Sequence, residues 1–246
     1  MSKRLKFFLT HLAISAFIAL LVICVVFLLW YPAPLAKAVG VTHIFLMMLT
    51  IDVIIGPVLG LIVYKEGKKT LKMDLGIIIL LQLSALGYGI YSIEQGRPVW
   101  IAYNVDRFDL VRVNEIDTRN LAQAKVEYQI PSYTQPKYVA AVIPTTNLEK
   151  KNQILFDELG SGIAPSQRPE LYQPLETVYP NIVKRALPLT QLEQFNNSQL
   201  VKQTLEKYPQ ADSFVPLKAN AVDMTVLIDK KSGGKVVAIA DLRPWK

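Results

Sequence analysis

The sequence predicts an α-helical membrane domain of three transmembrane helices, followed by an α+β extracytoplasmic domain. Three observations lead to this fold class. Long apolar runs with few charges fill the first 96 residues, basic residues cluster at only some of their ends, and the composition after residue 96 is that of an ordinary globular domain. The stretch from residue 97 to residue 246 is long enough to bury a core of its own. We therefore expect a transmembrane domain over residues 1–96 and an α+β domain over residues 97–246.

Three apolar runs are each long enough to cross a bilayer. They cover residues 7–30, 38–64 and 75–93. At about 1.5 Å per residue, even the shortest run spans nearly the ~30 Å of a hydrocarbon core. Pro32 and Pro34 end the first run, because proline has no backbone N–H to donate to a continuing helix.

The basic residues predict the orientation of these spans. Lys3, Arg4 and Lys6 precede the first span, and four lysines lie between residues 65 and 72, whereas the first loop contains only Lys37. Loops rich in Lys and Arg stay in the cytoplasm. The N-terminus is therefore expected in the cytoplasm, and everything after residue 93 outside it. In a bacterium this is an inner-membrane protein with a periplasmic domain.

A cleaved signal peptide is the alternative interpretation of the first run. Ala36-Lys37-Ala38 has the A-x-A form of a cleavage site. The apolar run is longer than the roughly 7–15 residues of a typical signal peptide. An uncleaved span is therefore favoured, and both interpretations place residue 38 across the membrane.

Asp52 is the one charged residue between residues 38 and 64, and it lies near the middle of the span. A carboxylate at this depth costs roughly 2.5–3.5 kcal/mol on insertion scales, so it needs a partner or a function. Gly56 and Gly60 follow on the same helix face, with the small-residue spacing that admits a second helix. Pro57 removes a backbone donor and favours a kink. This pattern indicates a docking face inside the membrane.

An internal role for Asp52 is equally compatible with the sequence. Gln82 and Ser84 of the third span lie at a similar depth and carry groups that hydrogen-bond a carboxyl. The sequence leaves both interpretations open: a structural contact within the bundle, or a contact with a partner or with protons.

The secondary structure of residues 97–246 is predicted from alternation, caps and turns. A turn is expected from Pro131 to Pro136, and the four prolines between 163 and 180 predict an extended loop over the domain surface. Strands are expected at residues 99–103, 108–113, 138–143, 221–229 and 235–242, the last two as a hairpin, and helices at 114–124, 148–159 (capped by Asn147) and 190–208.

The composition disfavours several functions. Residues 97–246 contain no His and no Cys, which excludes a Ser-His-Asp triad, a Cys-His pair and the common zinc sites within them. His11 and His43 lie near opposite membrane faces, so no shared metal site is expected. There is no Gly-rich phosphate loop, and the charges after residue 96 are well mixed, so no nucleic-acid partner is expected. We predict no enzyme, no cofactor and no metal.

Several short strings occur together in the order of one known family. They are DVIIGP at 52–57, KK at 68–69 with LKMD at 71–74, the stretch from Gln82 to Gly89, RPV at 97–99, DRF at 106–108, and DLRPW at 241–245. With these strings the chain resembles the type IV pilin accessory proteins, inner-membrane proteins associated with the major pilin. The resemblance implies a chaperone-like role, in which the protein stabilises pilin subunits before they are assembled.

The resemblance also suggests where a pilin would bind. Before assembly, a pilin subunit of this kind lies in the inner membrane as one apolar helix with a periplasmic head. The face formed by Asp52, Gly56, Pro57 and Gly60, with Gln82 nearby, is predicted to receive that helix, and Asp52 to pair near its charged N-terminal end.

The start of the outer domain is the second predicted contact. Arg97, Asp106, Arg107 and Phe108 either contact the pilin head or brace the domain against the membrane. The expected partners are therefore the major type IV pilin and the lipid bilayer, and the sequence does not indicate an oligomeric state. The alternative function is that of a membrane-anchored receptor or sensor with a ligand-binding outer domain.

Overall fold

The computed structural model describes residues 1–144 and 148–245, apart from the side chain of Lys150. The chain forms two compact units. The first comprises Met1–Pro32 and Val41–Gly96, and the second comprises Ala33–Gly40 and Arg97–Lys246.

The first unit is a bundle of three helices that are long and apolar enough to cross a membrane. The helices of this half of the chain are α1 (Lys3–Cys24), which continues as a π-helix (Val25–Trp30), α2 (Leu35–Val39), α3 (Val41–Val63) and α4 (Leu71–Gln95). Of these, α2 belongs to the second unit. Three spanning helices followed by an α+β domain confirm the predicted fold class.

The apolar run predicted that the second span begins at residue 38, but α3 begins at Val41. Gly40 has a φ of 80°, a left-handed conformation that ends α2 and separates it from α3. Residues 35–39 are apolar because they are buried in a protein core. Leu35 and Ala38 are 3% and 0% exposed within the second unit, and the Ala38 carbonyl accepts the N–H groups of Ala221 and Val222.

An eight-stranded mixed sheet forms the centre of the second unit, in the order β4-β3-β1-β2-β6-β7-β8 with β5 paired to β6. Two pairs, β1 with β3 and β2 with β6, are parallel. The strands are β1 (Pro98–Asn104), β2 (Arg107–Arg112), β3 (Lys137–Ala141), β4 (Tyr172–Gln173), β5 (Leu187–Pro188), β6 (Ser213–Lys218), β7 (Met224–Asp229) and β8 (Lys235–Ala240).

The predicted strands at 99–103, 108–113 and 138–143 and the terminal hairpin are confirmed, but β6 was missed. Pro216 lies in the middle of β6 and argues against a central strand. In the structure β5 pairs at Ser213 and Phe214, and β2 pairs at Leu217 and Lys218, so neither neighbour on that side faces Pro216. A proline is tolerated there because no ladder hydrogen bond is required of it.

Four helices lie around the sheet: α5 (Val126–Gln129), α6 (Leu148–Ser161), α7 (Tyr179–Arg185) and α8 (Ser198–Leu205). The helix predicted at 148–159 is confirmed, and its predicted cap, Asn147, lies outside the described residues. The helix predicted at 190–208 is divided. Its first part is a 3-10 helix, Leu189–Gln194, and Asn197 caps α8 by accepting the N–H groups of Gln199 and Leu200. Such Asn side chains compete with helical hydrogen bonds.

Two further predictions for this unit are wrong. No helix spans 114–124; only single 3-10 turns form, at Val113–Glu115 and Leu121–Gln123, because Asp117 between them is tied to Arg119 and to the Gln167 carbonyl. Residues 163–180 are not a surface loop either. Their prolines form short turns that bury Pro165, Leu171 and Tyr172 against the sheet.

Candidate partner-binding sites

A polar cluster joins the three helices of the bundle at the amide of Gln82. The Gln82 Nε2 atom donates to the Ser15 hydroxyl at 3.1 Å and to the backbone carbonyl of Asp52 at 3.0 Å. The Gln82 Oε1 atom lies 3.0 Å from the Nε2 atom of His11. Because an apolar bilayer offers no alternative partners, hydrogen bonds of this kind hold spanning helices together. The predicted proximity of Gln82 to Asp52 is present, and Ser84, the other predicted partner, is exposed.

The small-residue face of α3 packs against the chain's own helices. A Cβ atom on Gly56 would overlap the Gln82 side chain, and one on Gly60 would lie 2.9 Å from the Phe7 ring. Gly56, Pro57 and Gly60 are all buried, and α3 continues through Pro57 without interruption. The close approach of helices that the glycines predicted therefore occurs within the bundle, and a role for these residues in binding a partner helix stays a prediction.

The side chain of Asp52 lines a cavity of about 240 Å³ inside the same unit. Among the described residues, no hydrogen bond or ion pair reaches the Asp52 carboxylate. Asp52 takes part in the polar cluster only through its backbone carbonyl. The Nδ1 atom of His11, which also borders this cavity, is buried without a hydrogen-bond partner. The other cavity walls are mostly aliphatic: Ile14, Ile18, Ala19, Leu49, Ile79, Leu83 and Leu86, together with Ser15 and Gln82.

The four residues predicted at the start of the outer domain do not form one patch. Strand β1 runs from Pro98 to Asn104, so it places Arg97 and Asp106 at opposite ends of the sheet, roughly 20 Å apart at about 3.3 Å per residue. Phe108 is fully buried, and its ring packs edge-on against Tyr103 and Tyr138 at 5.3 and 6.0 Å. Phe108 is therefore a core residue.

Arg97 is 2% exposed and donates a hydrogen bond to the Ser132 carbonyl. Its guanidinium lies 5.6 Å from the centroid of the Tyr133 ring. Arg97 thus fastens the 131–136 turn to the first residues of the second unit, and its burial leaves little of its side chain for direct contact with a partner. Bracing of the domain against the membrane stays a prediction.

The turn between β1 and β2 is the exposed part of this set. Val105 has a φ of 61°, a backbone conformation that is unusual for a β-branched residue. Its side chain is 61% exposed. Arg107 pairs with Asp109 at 3.0 Å. Burial lowers the pKa of Arg107, but the charge of Asp109 and the hydrogen bond to it outweigh this effect and raise that pKa. The sequence analysis missed Val105. The polar residues in the string NVDR are typical of a turn, but nothing in the string indicates that the valine is strained.

The relatives of this chain decide its family. A sequence model of the fimbrial assembly protein FimB matches residues 1–40. The chain is 30% identical over 230 residues to the fimbrial assembly protein of serogroup I of Dichelobacter nodosus, an alignment that covers 89% of this chain and 88% of the relative. The chain belongs to the family of fimbrial assembly proteins.

Two other fimbrial assembly proteins from the same organism agree. The protein of serogroup E1 shows 30% identity over the same coverage, and that of serogroups C1 and C2 shows 34% identity over 116 residues, which is 46% of this chain and 88% of the relative. No solved structure matches. The resemblance inferred from the short strings is confirmed, and membership in this family supports a role in pilus assembly. The family is not a known enzyme class.

This fimbrial assembly protein also contains a charge network in its second unit. Arg168 is 2% exposed and lies 2.5 Å from Asp157 of α6, 3.9 Å from Asp117 and 3.8 Å from Glu170. Arg119 pairs with Asp117 at 2.8 Å, and its hydrogen bonds hold the pKa of Asp117 below the usual range of an aspartate. The sequence did not reveal this cluster, because it joins three separate segments of the chain. It connects Arg168 and Glu170 to α6 and to the segment that follows β2.

In the described part of this fimbrial assembly protein, no three His, Cys, Asp or Glu side chains are grouped as metal ligands. His11 pairs with Gln82, and His43 is exposed on α3.

Proposed function

We propose that this fimbrial assembly protein is an inner-membrane accessory protein that binds the major type IV pilin and stabilises it before assembly into pili. The observation that carries the proposal is the Asp52 carboxylate. It lies at the centre of a spanning helix and lines a cavity without a partner in the described chain. A carboxylate in this position is costly, and it is retained where it serves a function.

The size of the cavity determines how a pilin helix would bind. A space of about 240 Å³ accepts a side chain or a chain terminus, and not a helix, whose diameter is about 10 Å. The pilin helix therefore lies against the outside of the bundle, between α1 and α4, and inserts one cationic or hydrogen-bond-donating group towards Asp52. This mode leaves Gly56 and Gly60 in their contacts within the bundle.

The packing of α2 supports the proposed orientation of the protein in the membrane. Leu35 and Ala38 are part of the same core as strands β1 and β2, so an orientation is required that keeps residues 33–40 and 97–245 on the same side. Three spans meet this condition. The basic residues before α1 and between α3 and α4 then favour a cytoplasmic N-terminus and a periplasmic second unit.

On the periplasmic side, we propose that the turn between β1 and β2 contacts the pilin head. Val105, Asp106 and Arg107 offer an exposed apolar group flanked by both charges. Arg97 and Phe108, which the sequence grouped with them, instead support the domain from within.

Co-purification tests the proposal. The protein is tagged at its N-terminus, extracted from pilin-producing cells in mild detergent, and probed for the major pilin. We expect near-stoichiometric pilin with the wild type and at least a tenfold loss with Asp52→Asn. Thr50→Val is the matched control, because the Thr50 hydroxyl bonds only the Leu46 carbonyl of its own helix. Equal capture by all three proteins would contradict the role of Asp52, and no capture even after crosslinking in intact cells would contradict pilin binding.

One observation favours the alternative of a membrane-anchored receptor. The second unit has an open cleft of about 590 Å³ with three tyrosines, Tyr128, Tyr138 and Tyr179, and with Lys137 and Lys235 beside two glutamates. Such a mixture of aromatic and charged groups suits a small polar ligand. A receptor of this kind needs the cleft and not Asp52. Loss of piliation in Tyr179→Ala, with normal piliation in Asp52→Asn, would favour it.

A further inference from the structure

Three apolar side chains around α5 are exposed on the second unit. Val126, Ile130 and Tyr133 are 83%, 72% and 74% exposed. Tyr128, between them, is 8% exposed and stacks edge-on against the rings of Trp100 and Tyr172 at 5.9 and 5.8 Å. The segment is therefore fixed to the core by Tyr128, while its other large side chains face outward and have no role in the core.

The topology of the sheet places this segment at the end where the chain leaves the membrane. Strand β3 is parallel to β1, and Lys137 pairs with Trp100 near the start of β1. Residues 126–136 precede β3, so they lie at the end of the sheet where β1 begins. The contacts of Arg97 with Ser132 and Tyr133 independently fasten the segment there.

Arg97 itself lies close to the end of the third span. It follows Gln95, the last residue of α4, by two positions, which is at most about 7 Å of extended chain. The headgroup layer on each side of a bilayer is about 5–7 Å thick. Tyr133, in contact with Arg97, is therefore joined to the end of α4 by only a short length of chain.

We propose that residues 126–133 form an interfacial membrane contact, in which Val126, Ile130 and Tyr133 enter the boundary between headgroups and acyl chains. Tyrosine is enriched at this depth because one end of its ring is apolar and the other polar. The span itself shows the same signature, since α4 exposes Tyr88 and Tyr91 in its last two turns.

The charges around the segment agree with a lipid surface. Lys125 and Lys137 flank it and are exposed, while Glu127 lies between them. Lysines beside an apolar patch attract anionic headgroups. The occupant is thus the outer leaflet into which α4 already inserts, and the contact continues an interface that the span creates. This inference does not depend on pilin binding.

Lipid quenching of a fluorescent probe tests the contact in the full-length protein. Cys24, the only cysteine, is replaced by Ala, and an environment-sensitive probe is attached to Ile130→Cys. The protein is reconstituted into vesicles of phosphatidylcholine and phosphatidylglycerol at 3:1 that contain a lipid with a nitroxide near the headgroup. The control is Lys231→Cys in the turn between β7 and β8, which the sheet places at the opposite end from residue 98, because β7 runs antiparallel to β6, which is parallel to β2.

We expect the nitroxide lipid to quench the probe at position 130 at least threefold more than the probe at 231, and the difference to disappear in detergent without the nitroxide. Equal quenching at the two positions overturns the proposal. Quenching at 130 that is absent in pure lipid and arises only when a partner protein is added also overturns it, because the segment would then be a protein-binding surface. Both probes occupy exposed positions, so the labelled proteins are expected to fold.

Discussion

The side-chain amide of Gln82 occupies the space that a Cβ atom on Gly56 would need. The same amide bonds Ser15 on α1 and the Asp52 carbonyl on α3. One glycine therefore permits a contact on which all three spanning helices depend. The spacing of small residues on α3 is explained by this internal contact, and the carboxylate of Asp52 remains directed into the adjoining cavity.

The first prediction concerns this contact. Gly56→Ala should destabilise the bundle by about 1–3 kcal/mol, the usual cost of overpacking, because Gln82 has to leave its hydrogen bonds. The matched control is Gly76→Ala on α4, where an added Cβ meets nothing within 4 Å and the helix gains roughly 0.5–1 kcal/mol. Thermal unfolding in detergent compares the two variants. A Gly56→Ala protein as stable as the control would contradict the assigned packing.

The second prediction concerns α2. Leu35→Ala should lower the free energy of unfolding of the second unit by about 2–5 kcal/mol, because the side chain is 3% exposed in its core. Lys37→Ala is the control on the same short helix. Its ion pair with Asp241 is exposed and contributes under about 1 kcal/mol. Protease resistance of the second unit in membranes measures both. Equal sensitivity of the two variants would show that α2 is not part of this core.

The third prediction is a pH dependence of the Arg168 network. The hydrogen bonds from Arg119 lower the pKa of Asp117, so Asp117 contributes stability that is fully present above its ordinary value of about 3.9 and is lost as the pH falls through the lower folded value. Asp117→Asn should therefore destabilise the protein equally at pH 7 and pH 5, and the difference from wild type should shrink below about pH 4. Unfolding temperatures across this range provide the test, and a difference that grows in acid would refute it.

The fourth prediction separates strain from function at Val105. Val105→Gly should stabilise the second unit by roughly 1 kcal/mol net, because glycine adopts a φ of 61° without the penalty of a Cβ. If the turn contacts the pilin head, the same variant captures less pilin in spite of its greater stability. Unchanged capture by the stabilised variant would remove the turn from the binding surface.

The sequence predicted the elements whose signals are local. The lengths of the apolar runs indicated three spans, and the alternation around residues 99–113 and 221–242 indicated the strands found there. Asp52 could be identified from the sequence, because a single charge within an apolar run is visible without knowledge of the residues that pack around it. These patterns reflect the solvent of each segment, bilayer or water, and therefore survive without knowledge of the tertiary structure.

The errors arose where distant residues decide the local structure. Residues 38 and 39 look like the start of a span because a protein core and a lipid core select the same side chains. The turns at 163–180 are buried, and Arg168 within them pairs with Asp117, which lies far away in the sequence. Likewise, the spacing of Gly56 and Gly60 predicted that a helix packs closely, but it did not indicate whether that helix comes from this chain or from a partner.

Site-specific crosslinking at the Asp52 cavity tests the central claim most directly. A photoreactive amino acid is placed at Leu83, which lines the cavity and is 54% exposed, and, as a control, at Leu81, which is 65% exposed and lies two positions away on another face of α4. Both are illuminated in intact cells that produce the major pilin. We predict a crosslinked product with pilin from position 83, at least fivefold stronger than from position 81 and lost with Asp52→Asn. Equal crosslinking from both positions, or none from position 83, would contradict a pilin-binding site at Asp52.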